Sequence, residues 1–134
     1  VTGRRAALRV CVTLLLTAVL PLSSSAQAPS EAVDLVLPRP LGAGETAVIE
    51  IRLGALARGQ EVTVTTASGM LLGTVSPFGL RAGEDAGTYA LPVPTDAIGG
   101  GRLTIRLSIS QPGGSRAPTR QEVRSVTLKV APRP

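Results

Sequence analysis

The sequence predicts an all-β chain: a single antiparallel sandwich of seven strands behind an N-terminal signal-peptide helix. Three observations carry that prediction. Apolar and polar residues alternate in period two over much of the chain, as strands with one buried face require. Glycine-rich turns fall between these runs at short spacing, the rhythm of a sandwich or barrel. Beyond residue 26 no segment shows convincing helical spacing of its apolar residues.

The leader comes first. Arg4, Arg5 and Arg9 precede an apolar run from Val10 to Leu22, and Ser23-Ser24-Ser25-Ala26 follows. A basic head, an apolar middle and a small-residue exit are the marks of a secretory signal peptide. The run is about 13 residues, short of the roughly 20 that a spanning helix needs, and Pro21 closes it. Cleavage is expected after Ala26, with a retained signal anchor as the alternative. Gly3-Arg4-Arg5 resembles a twin-arginine export signal, but Ala7 stands where a phenylalanine usually follows, so an ordinary Sec leader is the simpler reading. Cys11 lacks the small residues of a lipobox before it and belongs to the leader. Val1 at the first position fits a GTG start and therefore a bacterial gene. The expected organisation is a signal peptide over 1–26, a linker over 27–31, a sandwich domain over 32–131 and a frayed tail over 132–134. The expected location is the periplasm or the outside of the cell.

The strands follow in order. Residues 32–37 set Val33, Leu35 and Leu37 against Asp34 and Val36. Residues 46–53 put Ala47, Ile49, Ile51 and Leu53 on one face and Val48, Glu50 and Arg52 on the other. Val62 and Val64 lie between threonines in residues 61–66, and residues 71–76 form a short, less regular run. Residues 87–93 bury Tyr89, Leu91 and Val93, while Pro92 marks an edge or a strand end. The cleanest alternation is Leu103, Ile105, Leu107 and Ile109 against Arg102, Thr104, Arg106 and Ser108. Residues 124–130 direct Val126, Leu128 and Val130 inward, and Val123, on the wrong parity, predicts a bulge or a late start.

This succession of strands, from Val33 to Val130, resembles the immunoglobulin-like and fibronectin type III-like sandwiches of bacterial exported proteins. Asp85-Ala86-Gly87-Thr88-Tyr89 also resembles the immunoglobulin tyrosine corner, although Leu91 takes the cysteine position and the chain has no tryptophan. Two more expected strands follow Tyr89, whereas the family's corner strand is the penultimate one. Tyr89 is therefore placed on the fifth of seven strands, facing the core with its hydroxyl at the edge.

Composition excludes more chemistry than it suggests. Without the leader there is neither histidine nor cysteine, hence no Ser-His-Asp or Cys-His arrangement and no imidazole or thiolate metal ligand. Met70 cannot serve a blue-copper site, which needs both residues. Glu84-Asp85 with Asp96 is too sparse for calcium, which takes six to eight oxygens. Gly99-Gly100-Gly101 precedes a strand and meets no helix N-terminus, so it is no phosphate cradle. Three of the fourteen positive charges leave with the leader, so eleven face nine acids. That is an ordinary surface balance, without the basic face and stacking aromatics of a nucleic-acid binder. Phe78 and Tyr89 are the only aromatics, which also disfavours a sugar platform. No cofactor is expected.

What remains are candidate contact surfaces. Ser76-Pro77-Phe78-Gly79-Leu80-Arg81 places Phe78, Leu80 and Arg81 in a loop, where Phe78 either anchors a partner or folds back to cap the sandwich. The outward faces of the last two strands offer Arg102, Arg106 and Lys129 as a basic row. The reading is a non-enzymatic exported module that binds another envelope protein, by a loop or by an added strand. The alternative is a module for a small ligand or a surface polymer.

Overall fold

The computed structural model describes residues 31–134; the expected signal-peptide helix and residues 27–30 of the linker lie outside them. Eight strands succeed one another: β1 (Ala32–Val36), β2 (Glu45–Ala55), β3 (Glu61–Thr66), β4 (Leu71–Val75), β5 (Asp85–Val93), β6 (Arg102–Gln111), β7 (Gly114–Arg116) and β8 (Val123–Pro132). All seven expected strands are among them. The count of seven is corrected by β7, a three-residue ribbon folded back onto the end of β6, with Gln111 opposite Gly114 and Ile109 opposite Arg116. Its sequence, Gly-Ser-Arg, has no apolar alternation.

Two antiparallel sheets result. One runs β1-β6-β3-β4 with β7 beside β6, the other β5-β2-β8. The end where β2 begins and β8 finishes is called upper. The lower end, opposite, is where β3, β5 and β8 begin. Ala47, Ile49, Ile51 and Leu53 face Val62, Val64, Leu103, Ile105, Leu107 and Ile109, and all are buried. The core is therefore aliphatic, and it stands on the alternation visible in β2 and β6. Burying each such side chain fully is worth about 1.5–3 kcal/mol.

The β2–β5 and β3–β6 pairs match the central pairs of an immunoglobulin sandwich. The outer strands do not. In that fold the first strand pairs with the second and the last with the penultimate; here β1 pairs with β6 and β8 with β2. β8 carries the irregularity that Val123 predicts: Leu53 pairs with Val123 but Arg52 with Ser125, which leaves Arg124 as the extra residue. β5 is an edge strand, so Pro92 costs no ladder bond on its outer side. The tail is better held than expected, since Pro132 pairs with Glu45 and the Arg133 N–H reaches the Gly44 carbonyl at 2.8 Å.

Tyr89 is half-buried against the core, and its hydroxyl donates to the Ala86 carbonyl at 2.8 Å. A tyrosine corner makes the same bond back to its own upstream backbone, here on β5.

Candidate interaction surface

Four turns share one construction. In residues 42–45, 57–60, 81–84 and 119–122 the last N–H donates to the first carbonyl at 3.1–3.2 Å. The side chain of that last residue then returns a carboxylate or amide oxygen to the first N–H. Glu45 accepts from Gly42 at 2.7 Å, Gln60 from Ala57 at 2.9 Å, Glu84 from Arg81 at 3.0 Å and Glu122 from Thr119 at 2.8 Å. Three of the turns put glycine third, with φ of 75° at Gly44, 81° at Gly59 and 82° at Gly83, as a type II turn requires. Each turn delivers the chain directly into β2, β3, β5 or β8.

Three of them lie at the lower end, and two of those border a groove there. The 57–60 turn and the 76–83 loop wall an open groove of about 840 Å³, lined by Arg58, Gln60, Phe78, Leu80 and Arg81 among others. Phe78 is 88% exposed, so it does not fold back to cap the sandwich. Leu80 is at 36% and Arg81 is exposed as well. On the groove floor Glu61 accepts the Ser76 hydroxyl at 2.7 Å. Among the described residues the ion pairs use Arg39, Arg116, Arg124 and Lys129, and neither Arg58 nor Arg81. The groove thus combines one large exposed ring with two arginines that have no acidic partner there.

The basic row does not form. β6 and β8 lie in different sheets, so Arg102 and Arg106 stand on the outer face of one and Lys129 on the outer face of the other. Lys129 is also engaged, its Nζ 2.7 Å from Glu50 Oε1. Alternation along a strand fixes which face is buried but carries no information about the neighbouring strand.

The acidic candidates have local structural work. Glu84 holds its own turn and Asp85 pairs with Arg124 at 2.8 Å. Among the described residues no group of three or more His, Cys, Asp or Glu is placed to hold a metal, and no helix is long and apolar enough to cross a membrane. Two carboxylates are strongly perturbed. The Arg39 guanidinium grips both oxygens of Glu45 at 2.6 Å and, with the Gly42 N–H, lowers its pKa to about 2. Glu122 is lowered to about 2 in the same way, by Arg116 first and then by Thr119. Both are turn clasps at the sandwich ends.

A second recess, about 480 Å³, lies at the upper end between Val36, Pro38, Pro40, Leu41 and Ile98. Its one signal in the sequence is the Pro38-Arg39-Pro40-Leu41 stretch beside the turn before β2. The reading also saw the glycines of the shared turns but not the Glu or Gln that follows each.

No protein-family model, curated protein or solved structure matches the chain.

Proposed function

We propose that the protein is an exported, non-enzymatic sandwich that serves as a protein-interaction, accessory or assembly module of the bacterial envelope. In this reading the lower-end groove makes the contact. The observation that carries it is Phe78, 88% exposed beside Arg58 and Arg81. Leaving a large ring in water has no folding benefit, whereas aromatic and arginine side chains are the usual anchors of an interface. The short apolar leader supports export.

The test is capture of envelope proteins by the tagged full chain, beside the Phe78→Ala, Arg81→Ala variant. One specific partner, lost with the variant, is the expected result. Equal capture by both would move the contact away from the groove; no partner at all would sink the reading. The upper recess, apolar and large enough for a small molecule, favours the second reading of a ligand module. Thermal shifts against a panel of small apolar ligands, absent in Ile98→Arg, would select it.

A further inference from the structure

From Val62 to Leu80 the chain carries no charged residue. This stretch contains β4, and it holds Met70, Leu71, Phe78 and Leu80, four of the five large hydrophobics exposed among the described residues. β4 is also an edge: β3 pairs with one side, no described strand pairs with the other, and Leu91 of β5 lies against Gly73.

The remaining edges are defended. β1 has Asp34; β5 has Asp85 and Pro92; β7 has Arg116; β8 has Arg124, Lys129 and Pro132. Charges and prolines on an edge are the usual barriers to pairing with another chain. β4 has neither. Its one blunting feature is the register shift opposite Val64 and Thr65, where Leu72 is the extra residue. Leu71, at 61% exposure, nevertheless faces solvent.

We infer that β4 pairs antiparallel with β4 of a second copy, about a two-fold axis near Gly73. Both sheets of the type β1-β6-β3-β4 then join into one. Two observations favour a second copy over a foreign strand. Only a charge close to a two-fold axis meets its own like on the other copy, and the edge around Gly73 carries none to repel there. The apolar residues are also self-complementary. Met70 and Leu71 lie before the strand and at its start, and Phe78 lies just past its end. Antiparallel pairing brings the Met70–Leu71 end of one copy against the Val75–Phe78 end of the other. Among the described edges β4 alone carries neither charge nor proline, so in a second copy it is the edge least opposed to pairing. The inference goes beyond the groove reading, and its test is read separately from partner capture.

Leu71→Lys with Thr74→Lys places charge on the edge at two exposed positions, so the fold should stand; an unchanged urea midpoint checks this. Sedimentation of the full chain over a concentration series should show a monomer–dimer equilibrium. In the double variant its midpoint should rise at least about tenfold, a loss of about 1.4 kcal/mol. Amide exchange across Leu71–Val75 should slow with concentration in the unsubstituted chain alone. A chain that stays monomeric throughout, or a dimer that the two lysines leave intact, overturns the inference. So does loss of the dimer with no concentration-dependent protection of β4, which would put the contact elsewhere.

Discussion

Glu45 and Glu122 close the same turn at opposite ends of the three-stranded sheet. Each takes an arginine six residues upstream in a two-pronged grip and an N–H three residues upstream. What lies behind them differs. The Arg39–Glu45 pair is the more exposed, at 55% and 26%, against 33% and 14% for Arg116–Glu122. Behind Glu122 the chain is pressed onto β2: its carbonyl accepts the Gly54 N–H at 2.9 Å, and a Cβ on Gly54 would lie 1.9 Å from the Gln121 carbonyl oxygen. Behind Gly44 and Glu45 there is only the end of β8, through Arg133. The same arginine–glutamate clasp, on a turn with Gly44 third and on one with Gln121 third, should therefore carry different weight according to the tertiary contact it secures.

The sharpest way to break that comparison is Gly54→Ala. The clash is with backbone, which cannot swing aside, so a loss of about 3 kcal/mol or more is expected in urea unfolding. Gly73→Ala is the contrast, because its Cβ would meet the flexible end of Leu91 at 2.8 Å, and about 1 kcal/mol is expected. Equal losses would mean that the lower loop yields as easily as a side chain.

Acid titration separates the two clasps next. Both carboxylates fall from an ordinary 4.5 to about 2 in the folded chain. Between those values the unfolded chain binds protons that the folded chain does not. The stabilisation is therefore complete above pH 4.5 and is lost as pH falls toward 2. Glu122→Gln should cost about 1 kcal/mol at pH 7 and flatten this acid limb; Glu45→Gln should flatten it less. The reverse order would show that neither exposure nor the contact behind the turn sets their weight. The smallest effect belongs to Phe78→Ala, expected within about 0.5 kcal/mol of the parent in urea unfolding, since the ring is 88% exposed. A larger loss would return Phe78 to the role of a cap.

Strand positions, the buried parity of β2 and β6, the edge status of Pro92 and the irregularity near Val123 were all legible in the sequence. They are local, and period-two alternation records them directly. Sheet membership was not legible, because Leu103 and Leu128 satisfy the same inward parity whichever strand lies beside them. That ambiguity produced the false row of Arg102, Arg106 and Lys129. β7 escaped because Gly114-Ser115-Arg116 pairs without an apolar side chain. Of the candidate site, Phe78, Leu80 and Arg81 were readable as a loop; their partner Arg58 came only from the fold, which sets the 57–60 turn beside them.

The exchange of the outer strands also determines how the domain carries load. β1 points its beginning toward the lower end and β8 points its finish toward the upper end, in different sheets. Tension drawn through the two ends of the domain then runs along the strands, sliding β1 past β6 and β8 past β2. Cross-strand bonds are loaded together in shear instead of being peeled singly, so rupture by force should be slow compared with unzipping.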